Sequence, residues 1–110
     1  MTVMHQELAA GRWQKMSLIE QMANIGSEVE RAFHWKEKNN SDRMMKAFER
    51  ALELLDLTLD CPNHRLRLKE IARVREVLVD IFLQCGQFTV SESSLRKYFL
   101  QFACAVRKEK

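Results

Sequence analysis

The chain is poor in the residues that break helices or cross-link a fold. Its 110 residues include one proline, three glycines and three cysteines. The scattered glycines form no glycine-rich loop that could cradle a phosphate. The cysteines, Cys61, Cys85 and Cys104, are an odd set far apart in sequence, which favours free thiols in a reducing compartment over a disulfide framework.

Long apolar runs are missing as well. No stretch approaches the roughly 20 apolar residues that cross a bilayer, and the polar start MTVMHQEL lacks the apolar segment of a signal peptide. We therefore expect no membrane partner and a cytoplasmic location. Apolar residues make up 46% of the chain, more than a disordered chain carries, so we expect one folded domain.

A helical periodicity, by contrast, covers most of the chain. Ser17 and Glu20 form a capping-box pattern, which predicts the start of a first helix that runs toward Asn39. A polar joint of a few residues follows, and it predicts a second helix from Asp42 to about Asp60. Because the apolar arc of the second helix is wide, we expect this helix to be the most buried.

Two further helices are predicted after the single proline. The third helix should run from about His64 to Gln84, with Gly86 as the left-handed residue after its end. The fourth helix begins after a short loop, where Thr89 and Ser91 compete as the N-cap, and it carries an aromatic-rich stripe.

These elements predict an all-α fold, an antiparallel up-down-up-down four-helix bundle, over residues 17–110. Residues 1–16 are predicted to form a partly ordered N-terminal arm, in which Trp13 favours docking on the bundle and Gly11 favours a break. Gly26 lies inside the first helix, where it favours close approach of a neighbouring helix over a hinge.

Arg75 falls on the apolar arc of the third helix, where an unpaired guanidinium would be costly. Asp56 and Glu28 lie at the borders of the apolar arcs of the second and first helices, and they are the nearest carboxylates by pattern. We therefore predict a partly buried polar cluster of Glu28, Asp56 and Arg75 between the helices. A structural role is the favoured interpretation, and a part in a binding site is the alternative.

Trp35 predicts a contact with another subunit. It follows Arg31 by one helical turn, and a tryptophan beside an arginine suits a protein interface. Leu57 lies outside the apolar arc of the second helix and is a further candidate. The sequence thus predicts a homodimer through the second helix or the Trp35 flank, with the alternative that Trp35 covers the end of the bundle.

Cations repeat every four residues on the third helix, at Arg65, Lys69 and Arg73. This spacing could follow a phosphate backbone. Glu76 and Asp80 lie on the same face and weaken its potential, so a solvated face with ion pairs is the favoured interpretation.

The two halves of the chain differ in charge. Residues 1–60 carry a net −2 and residues 61–110 a net +5. Because antiparallel helices bring such halves together, we expect internal charge complementarity rather than a nucleic-acid partner.

Metal and catalytic signatures are incomplete throughout the sequence. Glu30 and His34 are four positions apart, whereas a di-iron bundle site needs Glu-x-x-His on two helices. Cys61 and His64 have a zinc-like spacing without a completing pair. No local signature places a nucleophile beside its base. We therefore predict no metal, no cofactor, no catalytic residue and no enzymatic activity, with a hydrolase of unrecognised site as the remaining alternative.

Four segments carry a resemblance to known proteins: GSEVERAFHWKEK, FERALELLDLTLD, RLKEIARVREVLVDIF and SESSLRKYFLQFA. They resemble a small family of uncharacterised prokaryotic helical-bundle proteins. More loosely, the arrangement is similar to the nucleotide-binding helical bundles of higher eukaryotes and prokaryotes, whose members pair with small nucleotidyltransferases or act as toxin ribonucleases. Those ribonucleases use an Arg placed four to six residues before a His, and none of His5, His34 and His64 has that spacing. The resemblance therefore implies a helical bundle without ribonuclease activity.

The function that these patterns favour is a non-catalytic protein-interaction or scaffold module that associates with itself. The alternative is a nucleotide or nucleic-acid binding partner of a separate enzyme such as a nucleotidyltransferase. That partner would use the basic side chains of the third and fourth helices.

Overall fold

The computed structural model describes residues 11–84, 86 and 89–109, apart from the side chains of residues 62–64 and 109. This part of the chain is helical between its joints and contains no strand, which confirms the all-α class. Residues 11–15 are helical, and they are followed by α1 (Leu18–Glu37), α2 (Ser41–Leu59), a 3₁₀ helix (Pro62–Arg67), α3 (Leu68–Leu83) and α4 (Glu92–Glu109). None of the described helices is long and apolar enough to cross a membrane.

Side-chain caps fix where three of the α-helices start. The Ser17 hydroxyl accepts a hydrogen bond from the Glu20 N–H, and the Glu20 carboxylate accepts one from the Ser17 N–H, so the predicted capping box is present. The Asn40 side chain accepts the N–H three residues later, at the start of α2. The Ser91 hydroxyl does the same for α4, so Ser91 rather than Thr89 is its cap.

The third helix begins later than predicted, whereas its end lies within one residue of the prediction. The chain first forms a 3₁₀ helix over residues 62–67, and α3 begins at Leu68 rather than near His64. Neither start has a side-chain cap, and short 3₁₀ turns are common where a helix begins without one. α3 ends at Leu83, and the C-cap Gln84 takes the left-handed conformation, with φ 55°. Gly86 also has a positive φ, 73°, as the sequence predicted.

α1 is the central helix, and it packs extensively against α2 on one side and α4 on the other. Trp35 near the end of α1 lies against Arg43 near the start of α2. Lys36 near the end of α1 pairs with Glu92 at the start of α4. The end of α1 therefore lies beside the starts of both neighbouring helices.

α3 packs on α2 and reaches α1 through an aromatic side chain. The Phe82 ring centroid lies 5.2 Å from that of Phe48 on α2 and 4.7 Å from that of Phe33 on α1. α1 contributes seven buried residues and α2 contributes six, so the prediction that the second helix is the most buried is wrong. The reason is that α1 buries one flank against α2 and another against α4.

Candidate functional site

A groove runs along the surface between α1 and α4, and we call it the α1/α4 groove. It has a volume of about 340 Å³ and is lined by Ala23, Gly26, Ser27, Glu30, Arg96, Phe99, Leu100 and Ala103. An adjoining depression of about 420 Å³ shares Glu30, Arg96 and Leu100 with it and adds Glu92, Ser93 and Lys97. The two hollows therefore form one continuous concave surface.

Gly26 sets how closely the two helices approach beneath this groove. A Cβ atom at position 26 would lie 3.0 Å from the Cβ of Phe99, closer than an ordinary van der Waals contact. The missing side chain allows Phe99 to pack against α1, where it is 3% exposed. The close helix approach expected from the sequence at Gly26 is therefore present.

Leu100 is the large apolar side chain that the groove leaves in solvent, with 57% of its surface exposed. It lies one residue beyond the buried Phe99, on the flank of α4 that faces the groove. Full burial of a leucine side chain is worth about 1.5–3 kcal/mol, so a partner that covers it gains binding energy. Leu100 is therefore the large exposed apolar residue of this surface.

The polar wall of the groove is an ion-pair network around Arg96. Its guanidinium donates to both oxygens of Glu30, with the closest contacts at 2.9 Å, and to Glu37 at 3.3 Å. The hydrogen bond to Glu30 is the main reason that the pKa of Arg96 lies above its ordinary value. The guanidinium carbon also lies 5.0 Å from the centre of the Phe33 ring. Arg96 therefore remains a cation and links α4 to α1.

The predicted polar cluster is only partly brought together. Arg75 Nε donates to Asp56 at 2.7 Å, so α3 and α2 are joined by this pair. Glu28 lies apart from it and pairs with Arg31 at 3.1 Å and Arg50 at 4.0 Å. The side chains of Arg75 and Asp56 are 35% and 54% exposed, so the pair lies at the surface rather than in a partly buried cluster.

The predicted interface residues do not form one surface. Trp35 is partly buried, and the cation over its ring is Arg43, at 4.7 Å from the ring centre, rather than Arg31. Leu57 is partly buried against the core. It lies near the opposite end of α2 from Arg43, about 21 Å along the helix axis at about 1.5 Å per residue.

The predicted basic face is not continuous, because its first residue lies outside α3. Arg65 lies in the 3₁₀ helix, whose three-residue turn does not continue the four-residue spacing of Lys69 and Arg73 on α3. All three side chains are exposed, and Arg73 takes part in another interaction of the fold. The neighbouring Leu66 is fully exposed.

The structure describes no group of three or more His, Cys, Asp or Glu residues that could hold a metal ion. His34 packs edge-on against Trp35, with ring centres 4.9 Å apart. Cys61 is a buried free thiol and Cys104 an exposed one. Cys85 and the side chain of His64 lie outside the described residues, so the predicted third thiol and the Cys61–His64 spacing are not placed.

Sequence reasoning missed a buried hydrogen-bond network between the start of α1 and the end of α2. The Trp13 indole N–H donates to the Thr58 hydroxyl at 2.9 Å. The Gln21 amide donates to the carbonyls of Trp13, at 2.7 Å, and Met16, at 3.3 Å, and it lies 3.5 Å from the sulfur of Cys61. The docking of Trp13 that the sequence predicted is thus made by polar as well as apolar contacts.

A signal for this network was present in the helical pattern. Gln21 lies four residues before Ile25 and Thr58 lies four residues after Leu54, so both polar residues occupy apolar faces of their helices. Both are fully buried. A polar residue on an apolar face implies a hydrogen-bond partner that approaches from elsewhere in the chain.

A scan of the chain against models of known protein families found no match. Searches of curated proteins and of solved structures also found none.

Proposed function

We propose that this protein is a non-catalytic interaction module that associates with a second copy of itself through the α1/α4 groove. The proposal includes an antiparallel four-helix bundle as the scaffold and a cytoplasmic location. The observation that carries it is the exposed Leu100 beside a concave surface lined by small side chains.

The shape of the groove suits a two-fold contact. Such a contact uses the same patch on both copies, so each patch must offer both a projecting and a receiving part. Leu100 projects from α4, and the small side chains of Ala23 and Ser27 leave room on α1. In the proposed pair, Leu100 of each copy enters the groove of the other.

The charges around the groove support the same arrangement. The whole chain carries a net +3, whereas the ionic side chains around the groove are equal in number of each sign. They are the cations Lys36, Arg96 and Lys97 and the anions Glu30, Glu37 and Glu92. A balanced patch of this kind pairs with its own copy without net repulsion.

The chemistry of the groove supports binding rather than catalysis. Its guanidinium, Arg96, is held in hydrogen bonds to Glu30 and Glu37, and its raised pKa keeps it protonated at neutral pH. It therefore does not serve as a general acid or base, for which a pKa near the working pH is needed.

The test is the oligomeric state measured by light scattering at several concentrations. We expect a dimer for the native chain and a loss of association of at least about tenfold for Leu100→Glu, because a buried charge without a partner is costly. Leu83→Glu is the matched control, since Leu83 is 51% exposed at the end of α3 and does not line the groove. A native chain that stays monomeric, or equal effects of the two variants, would contradict the proposal.

A second candidate function has one observation in its favour. Arg65 and the fully exposed Leu66 lie in the 3₁₀ turn before α3, and the exposed Lys69 lies in the first turn of α3. This turn could contact a nucleotide or nucleic acid, as in a binding partner of a nucleotidyltransferase. Affinity for RNA or DNA that falls with added salt and with Arg65→Ala would support this function. Affinity that is unchanged by Arg65→Ala would contradict it.

A further inference from the structure

The N-terminal segment, residues 11–16, covers the polar seam formed by Gln21, Thr58 and Cys61. Trp13 of this segment is 5% exposed, and Cys61, whose sulfur lies 3.5 Å from the Gln21 amide nitrogen, is 2% exposed. The seam holds the segment by a hydroxyl that accepts from the indole and by an amide that donates to two main-chain carbonyls. These are the groups by which proteins bind a peptide, and here the bound peptide belongs to the same chain.

α1 does not need the segment in order to start. The hydroxyl of Ser17 and the carboxylate of Glu20 close the capping box between them. Ser17 itself has an extended backbone, with φ −66° and ψ 160°, so the chain leaves the helix at this residue. Detachment of the segment therefore leaves the first turn of α1 with its own cap.

The closed state, in which residues 11–16 cover the seam, also has an unfavourable feature. Gln21 is fully buried, and its Oε1 atom has no hydrogen-bond partner among the residues that the structure describes. A buried acceptor without a partner lowers the stability of the state that buries it, whereas water satisfies that oxygen when the segment is detached. The balance between closed and open states is thereby shifted toward opening.

From these observations we propose that the seam is an exchangeable binding site whose other occupant is the N-terminal segment of a second copy. A second copy carries the same Trp13, so it makes the same hydrogen bonds without any new complementarity. This contact is separate from the α1/α4 groove and does not depend on the function proposed above.

The first experiment asks whether the segment covers the seam. Cys61 is the reporter, in a full chain in which Cys85 and Cys104 are replaced by serine and Leu100→Glu removes association through the groove. Its rate of reaction with a thiol reagent should rise by at least about tenfold in Trp13→Ala, because the thiol is then reached without global unfolding. Trp35→Ala is the matched control, since Trp35 lies at the other end of α1, and it should leave the rate unchanged.

The second experiment asks whether the site accepts the segment of another copy. The Trp13→Ala chain is mixed with a donor chain that keeps Trp13 but carries Thr58→Val and Cys61→Ser. We expect the donor to slow labelling of Cys61 in a saturable way and to form a one-to-one complex in native mass spectrometry. A donor that also carries Trp13→Ala should give neither effect.

The outcomes separate the two proposals. No acceleration by Trp13→Ala, or no protection by the donor, overturns the exchange, whatever Leu100→Glu does to association in its own test. Trp13→Phe, which keeps the aromatic ring and removes the indole N–H, serves if Trp13→Ala fails to fold. It should give a smaller acceleration of labelling, and a rate equal to that of the native chain would also count against the proposal.

Discussion

Gly26 and Phe99 bring α1 and α4 closer together than a residue with a Cβ atom at position 26 would ordinarily allow. The atom that limits the approach is the Cβ of Phe99, 3.0 Å from where a Cβ of residue 26 would lie. A Cβ atom moves only with the backbone, so rotation of the phenylalanine ring cannot relieve the contact. The separation of the two helices is thus fixed by one glycine.

Gly26→Ala should therefore destabilise the protein, although alanine is the better helix former. The better helix propensity of alanine stabilises the protein by about 1 kcal/mol, whereas overpacking against Phe99 destabilises it by about 1–3 kcal/mol. We therefore expect the free energy of unfolding to fall by up to about 2 kcal/mol. The measurement is the free energy of unfolding in urea. Gly11→Ala is the matched control, because Gly11 is helical and a Cβ there meets nothing within 4 Å. Equal effects at both positions would show that Phe99 does not limit the approach.

The starts of α1, α2 and α4 could be predicted from sequence because they depend on local side-chain caps, whereas α3 begins without such a cap and later than predicted. The capping box of Ser17 and Glu20 needs only residues three apart, and it is present as predicted. The network of Trp13 and Thr58 joins residues far apart in sequence, and periodicity places no partner for either. The α1/α4 groove was not predicted for the same reason. Its lining comes from two helices far apart in sequence, so it depends on how α4 packs on α1.

Two residues near the end of α3 have a positive φ, where the sequence predicted one. Gly86 has a positive φ of 73°, as expected, and Gln84, the C-cap two residues earlier, is also left-handed, with φ 55°. A residue with a Cβ loses about 1 kcal/mol in this region, so Gln84→Gly should stabilise the protein by up to about 1 kcal/mol. Asn39, with φ 58°, provides the comparison. Asparagine tolerates this region better than glutamine, so the gain from Asn39→Gly in urea unfolding should be smaller; a larger gain there would contradict the argument.

Arg75→Met should cost little stability, because its ion pair with Asp56 is open to solvent. Exposed pairs of this kind contribute about 0.2–1 kcal/mol, and the methionine retains the apolar stem contacts. A double-mutant cycle with Asp56→Asn isolates the pair itself. Arg96→Met is the matched comparison and should cost more, because Arg96 joins two carboxylates and lies over Phe33. A coupling energy above about 2 kcal/mol for Arg75 and Asp56 would mean that the pair is buried in solution.

Tyr98 is the residue through which α4 contacts the start of α3, and its phenol proton makes that contact depend on pH. The hydroxyl donates to Glu70 at 2.6 Å, and Glu70 is held in turn by Arg67 at 2.7 Å. Removal of the hydroxyl in Tyr98→Phe should cost about 1 kcal/mol at neutral pH, since a typical hydrogen bond contributes about that much.

The pH dependence of that cost follows from two opposite shifts. Burial, and then the hydrogen bond to Glu70, raise the pKa of Tyr98 above its ordinary value of 10.0, so its contribution is complete below that pH and is lost as the pH rises above it. The hydrogen bond from Arg67 is the main cause that lowers the pKa of Glu70 below 4.5, so the contribution of Glu70 is present above that pH and is lost on acidification. The difference in unfolding free energy between the native chain and Tyr98→Phe should therefore narrow between about pH 9 and about pH 11, because only the native chain has a phenol proton to lose. All other ionisable groups are the same in the two chains, so the comparison isolates the phenol. A difference that stays constant over this range would mean that the pKa of Tyr98 is not raised in the folded chain.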